Sequence, residues 1–452
     1  MRYTGVAALV ALCVASTCFA DLRFQPLVLD QLGYAYSQPR GINDHGTVVG
    51  VVQNSFNFNE TYYARAVIWG AATGAGTLLG APANYAGSSA EDINNDGVIV
   101  GGVSSGLYST RAMRYSNGSF YLPYPYIGPP PTTPPPGELY SINDAGQAVG
   151  EMNAQPILLQ GQLVTDLNGS STASDHPAAI SANNAIVGNN FNSSTGNRFA
   201  IQFRPGQTAT RLESTSYSSQ ATDVNSKGTV VGHVTIPGTP IAGAVPVIFE
   251  AGGYTVLPGG FAGVGQNSAI VRAINDKGWI GGAQGMSTSS TADLNAAVWI
   301  DGQYRLATSM LADAYTGLFK INDIYDINNR GQMIAAARQD IDGDPTTIGW
   351  KSVAVRLDPI RSPGDTNYDD IVDFTDLLTL AQHYGQSGNG NIFWETGDFN
   401  FDWAVNFDDL LTLAQYYNAP ATFESDWLLA RSMVPEPASL AILFCISRKR
   451  RV

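Results

Sequence analysis

The chain has 452 residues, a net charge of −14, 24 Lys and Arg against 38 Asp and Glu, and three Cys. So acidic a chain has no electrostatic footprint for a phosphate backbone, which excludes nucleic acid as a partner. Its 48 Gly and 24 Pro beside 44% hydrophobic residues point to a turn-rich globular protein of more than one domain.

Residues 1–20 read as an export signal: Arg2, the apolar run GVAALVALCVA, then TCFA before Asp21. The run is too short for a membrane span. A lipoprotein signal at Cys18 is the alternative, with Ala15–Ser16–Thr17 in place of the usual small-residue box. Cys13 and Cys18 lie here and Cys445 in the C-terminal tail, so the expected mature protein has neither disulfide nor thiol chemistry.

Residues 21–360 carry an internal repeat. GINDHGTVVG begins at Gly41, DINNDGVIVG at Asp92, SINDAGQAVG at Ser141, ISANNAIVG at Ile180, DVNSKGTVVG at Asp223, AINDKGWIGG at Ala273 and DINNRGQMIA at Asp326, spaced by 38 to 53 residues. Each reads as strand, tight turn, strand. The turn glycines (Gly46, Gly97, Gly146, Gly228, Gly278, Gly331) supply positive φ, and Asn184 replaces them in the fourth copy. The preceding Asn, as in Asn43 or Asn143, can bond its own backbone and fix the turn. A second hairpin follows most copies, as in RAVIWGAATGAGTLLG and VPVIFEAGGYTVLPG, so each repeat has the four strands of a propeller blade. The last copy has a single strand after it, SVAVRLDPI, and the missing partner sits in LRFQPLVLDQLG at the N-terminus. A closed seven-bladed β-propeller uses that strand; an open solenoid or β-helix leaves it orphaned.

The repeat resembles the extracellular HAF family, with units of IN-x-x-G-x-x-VG followed by an A-x-x-W-like strand, echoed at Ala66–Trp69 and Ala297–Trp299. The resemblance implies export and a β-rich repeat fold. Two further segments carry weaker signals. The insertion Tyr121–Gly137 reads as extended polyproline, a spacer, and Asp340–Asp344 (DIDGD) as a hairpin turn, since Lys351 stands where a calcium loop would end.

Near the C-terminus, GDTNYDDIVDFTDLLTLAQHYG and GDFNFDWAVNFDDLLTLAQYYN are near-copies with calcium-loop spacing. Oxygen ligands at positions 1, 3, 5, 7, 9 and 12 come from Asp365, Asn367, Asp369, the carbonyl of Ile371, Asp373 and Asp376, and from Asp398, Asn400, Asp402, the carbonyl of Ala404, Asn406 and Asp409. Residues 364–418 hold ten Asp and Glu and no Lys or Arg, a crowding that resists compaction unless a cation neutralises it. Leu377, Leu380, Ala381 and Tyr384, and Leu410, Leu413, Ala414 and Tyr417, form matching apolar helix stripes. These loop–helix units resemble type I dockerin domains, which implies two calcium ions, an α-helical EF-hand-like fold and docking onto cohesin domains. Two departures stand out. Asp370 and Trp403 replace the usual position-six Gly, which makes the second loop the more strained, and Phe374–Thr375 and Phe407–Asp408 replace the hydroxylated pair of cellulosomal dockerins. The partner implied is therefore cohesin-like rather than a conventional cohesin.

Residues 419–433 are expected as a linker. VPEPAS (Val434–Ser439), LAILFCIS and the basic RKRR (Arg448–Arg451) follow. This tail resembles a PEP-CTERM sorting signal, which implies transient membrane contact and removal by an exosortase-type protease. Its apolar run is shorter than the ~20 residues a span needs.

The domain plan is thus signal peptide 1–20, repeat propeller 21–360, dockerin-like domain 361–418, linker 419–433 and sorting tail 434–452. Catalysis leaves little trace: His45, His176, His233 and His383 form no spaced pair, and no P-loop occurs. The repeats' acids sit at varying turn positions, which disfavours a convergent acid cluster on the axis. The reading is an exported binding or scaffold protein of the cell surface or medium, with a cohesin-like protein or surface polysaccharide as partner. The alternative is a carbohydrate-active enzyme carrying a dockerin.

Overall fold

The computed structural model describes residues 22–434 apart from 55–63, 107–109, 124–134, 168–174, 215–217, 236–242, 260–267, 286–293, 343–348, 370, 389–391 and 420–421. Residues 1–20, expected as an export signal, the tail beyond Val434, most of the proline-rich insertion and the end of the expected DIDGD turn lie outside the described residues. Two compact units divide the chain, Arg23–Pro359 and the residues from Ile360 onward.

The first unit is a seven-bladed β-propeller of seven four-stranded antiparallel sheets. In blade one the strands are Tyr36–Ile42, Val48–Gln53, Arg65–Trp69 and Gly76–Leu78, innermost first. The inner strands of the next six blades are Gly87–Ile93, Gly137–Ile142, Asp175–Ile180, Ser219–Val224, Ser268–Ile274 and Phe319–Ile327. Blade seven takes its outermost strand, Phe24–Leu29, from the N-terminus; it pairs antiparallel with Trp350–Pro359, Phe24 opposite Pro359 and Leu29 opposite Ala354. The ring is closed, as the orphan strand requires, and the solenoid alternative falls.

The repeat motif is explained by two backbone devices. Gly46, Gly97, Gly146, Gly228, Gly278 and Gly331 all have φ between 73° and 88°, and Asn184 has φ 66°, the left-handed conformation an L side chain with a short polar group tolerates best. The second device is a bulge. Each inner strand carries one extra, unpaired residue at the same step: Arg40, Glu91, Tyr140, Ala178, Thr222, Arg272 and Tyr325. The bulge pushes a carbonyl against the neighbouring strand, where the motif ends in Gly. A Cβ on Gly50 would lie 2.1 Å from the Gln38 carbonyl, and one on Gly232 1.9 Å from that of Gln220. Those positions must be Gly. Blade seven has Ala335 there, and its inner strand has a second bulge at Asn322.

The core lies between blades. Val98, Val100 and Ala112 of blade two pack with Leu139, Ile142 and Ile157 of blade three. Where the ring closes, Leu29, Ile334 and Ala354 of blade seven pack with Ile42, Val48, Val67 and Trp69 of blade one. The tryptophans of the A-x-x-W strands are anchored at their polar end: Trp69 Nε1 donates to the Asp30 carbonyl at 2.8 Å and Trp299 Nε1 to that of Pro258 at 2.5 Å.

The second unit holds helices α1 (Phe374–His383), α2 (Phe407–Tyr416) and α3 (Phe423–Met433). Leu377, Leu380, Ala381, Leu410, Leu413 and Tyr417 are buried. Tyr384 is not core: it is 37% exposed and meets Trp427 of α3 edge-on at 5.3 Å. The stretch 419–433 is thus no plain linker. Its α3 returns to the unit, with Phe423 against Tyr417 at 5.1 Å and Asp426 accepting from the Tyr417 hydroxyl at 3.0 Å. Its apolar residues are too few to show a strong helical stripe, which is why the sequence reads as a linker. Among the described residues no helix is long and apolar enough to cross a membrane.

Closure of the ring through the N-terminal strand yields a direct test. Deleting residues 21–31 removes Phe24 and Leu29, each at most 2% exposed, and should cost roughly 3–6 kcal/mol at the usual value per buried side chain. An unchanged urea midpoint for the propeller would contradict the role assigned to this strand.

Candidate functional site

The two loops of the helical unit share their bonding from position three onward and differ at position one. In the first, Asp365 Oδ1 accepts from the N–H groups of Asn367 (3.1 Å) and Tyr368 (2.7 Å), Asn367 Oδ1 from Asp369 (3.0 Å) and Asp369 Oδ1 from Ile371 (2.9 Å). In the second, Asp398 accepts from Asp402 (3.2 Å) and Trp403 (3.1 Å), Asn400 Oδ1 from Asp402 (2.9 Å) and Asp402 Oδ1 from Ala404 (2.9 Å). Positions nine and twelve double as the helix cap. Asp373 caps α1 and Asn406 caps α2, and the carboxylate of Asp376 or Asp409 reaches back to the cap residue's N–H at 2.9 Å. This is the reciprocal capping box, so loop and helix are one local unit.

The copies are interlocked. Gly364, at the start of the first loop, lies so close to α2 that a Cβ would fall 3.0 Å from the Leu413 Cα; a Cβ on Gly397, at the start of the second, would fall 3.1 Å from the Leu380 Cα of α1. The Val405 N–H donates to the Gln386 carbonyl and the Gly385 N–H to that of Val405, at 3.0 and 2.8 Å. Below the first loop Trp394 Nε1 donates to the Asp365 carbonyl at 2.5 Å, and Arg361 stacks on Trp394 and Phe401 at 5.2 and 5.1 Å. Arg361 precedes the loop and is absent from the sequence reading.

The electrostatics suit a hard cation. Asp365, Asp376, Asp398 and Asp409 are at most 1% exposed. Burial, with the carboxylates of Asp409 and Asp402 adding, pushes Asp398 up to about 6, and burial raises Asp376 and Asp409 as well. Asp398, Asp402 and Asp409 bring carboxylate oxygens within 4.8 Å of one another. An oxygen cluster of this kind matches calcium, and a divalent cation would reverse the sign of the crowding. Trp403, the bulky position-six residue, adopts φ 63°. Its N–H is held by Asp398 and its carbonyl by the Gly388 N–H at 2.9 Å, so the loop expected to be the more strained is well bonded. Asp370 lies outside the described residues.

The propeller axis overturns one expectation. Acids do converge there: Asp44, Asp92, Asp144, Asp223, Asp276 and Asp326 all line a central channel of about 180 Å³ at the turn end of the inner strands. They are tied to their neighbours. Asp92 accepts from the Ile142 N–H of the next blade at 2.9 Å, Asp223 from Ile274 at 2.7 Å and Asp326 from Ile42 at 3.0 Å. The other three alternate with amides, Asn95 donating to Asp44 and Asp144 at 2.9 Å each. Sequence reading missed this because the acids fall at two different motif positions, which converge once the blades are arranged around a ring. Burial is the main force on Asp92, Asp223 and Asp326, with mutual repulsion added, and holds each at about 7.

Comparison with known proteins agrees with the helical unit. Residues 363–418 match the model of the dockerin type I domain. No curated protein matches the chain. Among solved structures, a catalytically inactive virginiamycin B lyase from Staphylococcus aureus with quinupristin is 12% identical, over 75% of this chain and all of that one, with a TM-score of 0.43. A streptogramin B lyase is 12% identical over 76% and 100%, at 0.39. The extracellular domain of a hybrid two-component system from B. thetaiotaomicron is 8% identical over 75% and 40%, at 0.43. At these scores the likenesses carry no argument about activity.

Two outcomes follow for these sites. Calorimetry of Asp398→Ala should show calcium binding at the second loop lost at millimolar calcium; an unaltered isotherm would contradict the cluster. For the axis, a carboxyl raised above its unfolded value stabilises the fold when protonated, fully below about pH 4, and loses that contribution as pH climbs through about 7. The propeller's unfolding free energy from urea titration should therefore fall between those limits, by at least about 1 kcal/mol, and the triple variant Asp92→Asn, Asp223→Asn, Asp326→Asn should flatten the fall. Equal slopes in both proteins would refute this assignment.

Proposed function

We propose that this is an exported, calcium-binding attachment and binding protein without catalytic activity: the helical unit docks onto a cohesin-like partner at the cell surface or in the medium, and the propeller presents a ligand surface. The doubled, interlocked loop–helix unit, with four buried carboxylates and no Lys or Arg across 364–418, carries this reading. Two calcium ions are assigned, one to Asp365, Asn367, Asp369, the Ile371 carbonyl, Asp373 and Asp376, the other to Asp398, Asn400, Asp402, the Ala404 carbonyl, Asn406 and Asp409. The domain plan of the sequence reading is retained with α3 added to the docking unit. HAF-type repeats form the propeller, residues 1–20 direct export, and the tail from Val434 is a PEP-CTERM signal cut by an exosortase-type protease.

The non-catalytic part is supported by the axial acids, which are engaged in stapling neighbouring blades. One observation favours the alternative, a carbohydrate-active enzyme. Burial and the neighbouring carboxylate of Glu91 raise Glu138, the shift a general acid needs.

Capture from the producing cell's surface fraction and medium, with and without calcium, tests the reading. A partner should be retained with calcium and lost in the double variant Asp365→Ala, Asp398→Ala, and the captured chain's intact mass should place its end near Val434–Ser439. Retention regardless of calcium would sink the docking role, a secreted species still carrying Arg451 and Val452 would sink the sorting role, and release of reducing ends from a polysaccharide would favour the enzyme.

A further inference from the structure

Each inner strand adds its bulged residue at the same step, so seven side chains with no common chemistry are brought to the axis. A bulge re-aims a side chain, and here all seven line one cavity of about 530 Å³, with the axial acids one or four residues further along six of the seven strands. Six bear on its chemistry: Arg40, Glu91, Tyr140, Thr222, Arg272 and Tyr325. The seventh, Ala178, leaves the wall low at blade four. The volume lies within the range of small-ligand sites.

The charges cancel inside the fold. Arg40 is paired with Glu91. Arg272 grips buried Asp323 with two nitrogens, Nε at 2.8 and 3.0 Å and Nη2 at 2.7 Å. His233, beside Arg272, is pushed down to about 4 by burial and the Arg272 charge, and so is neutral. A charged ligand would meet no uncompensated countercharge and would have to disrupt a desolvated pair. What the wall offers instead is density of hydrogen bonding. Arg272 has more N–H donors than Asp323 takes up, and Gln38, Asn189, Thr222 and the phenol of Tyr140 line the same wall. Tyr325 adds an aromatic ring, with the Arg272 guanidinium 5.1 Å over it. Closely set donors and acceptors bond vicinal hydroxyls in pairs, and a ring covers the C–H face that such a ligand also presents.

We propose that this axial cavity binds a neutral sugar unit, as a free oligosaccharide or as the end of a polysaccharide. The proposal rests on the reading of the propeller as the ligand-presenting half, but its test does not involve the docking unit's partner.

The test uses the full chain with calcium present. Cellotriose, laminaritriose and xylotriose are titrated by calorimetry beside the anionic trigalacturonate, and the parent polysaccharides are tested by retardation in affinity gels. At least one neutral trisaccharide or its polymer should bind, the first identifying a free-oligosaccharide site and the polymer alone a chain-end site. Ala178→Trp, which fills the cavity without removing a member of either ion pair, should weaken that binding about tenfold or more with the melting temperature unchanged. Thr222→Tyr fills it from another blade and decides the matter if the first variant misfolds. Absence of binding by every neutral probe at millimolar concentration, tighter binding of trigalacturonate, or undiminished binding in a folded, filled variant would overturn the proposal.

Discussion

The propeller depends on a side-chain hydrogen bond handed from blade to blade. The turn asparagine of each motif uses both ends of its carboxamide. Asn43 Oδ1 accepts from the N–H groups of His45 and Thr47 within its own turn, at 3.1 and 3.0 Å, while Nδ2 donates to the Asn94 carbonyl of the next blade at 3.1 Å. The same step runs Asn94 to Asn143, Asn143 to Ser181, Asn225 to Asn275 and Asn275 to Asn328, and Asn328 closes the circle on Asn43 at 2.9 Å. At blade four, where Ser181 replaces the Asn, Asn183 makes the link to Ser226 at 2.7 Å. The six turn asparagines are buried, whereas Asn183 is exposed, and a buried amide left unpaired costs far more than a satisfied one contributes. Opening the ring at any of the six asparagine links therefore strands a buried amide.

That constraint accounts for the acids around it. With the turns held in a circle, whatever follows or precedes the asparagine must also face its neighbours. Asp92, Asp223 and Asp326 meet that demand by accepting N–H groups across the blade boundary, and they carry the desolvation that comes with it. The axis is consequently divided along its length into a narrow acidic channel at the turns and a wider, charge-compensated cavity at the bulges.

The helical unit solves the same difficulty in the opposite way. Its buried carboxylates are gathered by a loop only a dozen residues long, and backbone N–H groups take one side of each. In the second loop the carboxylate oxygens of Asp398, Asp402 and Asp409 lie within 4.8 Å of one another, a crowding that a cation would relieve. Reciprocal insertion of Gly364 and Gly397 against the opposite helix makes two short, individually marginal helices into one body.

Features that depend on neighbours in sequence were legible in the chain itself. The turns, their positive-φ glycines, the four-strand content of each blade, the orphan strand that closes the seventh and the two loop–helix copies are all set by spacings of a few residues or by a repeat of fixed length, so period and residue type determine them. Three features were decided by tertiary structure alone. Acids at two different motif positions share the axis because the blades are wound about it. The stretch after Asn418 became a helix because Trp427 and Phe423 find Tyr384 and Tyr417, contacts no local pattern encodes. The bulged residues, from Arg40 to Tyr325, are too dissimilar to register as part of a repeat. What they share is a backbone position, and only the pairing of the strands makes that position point to a common centre.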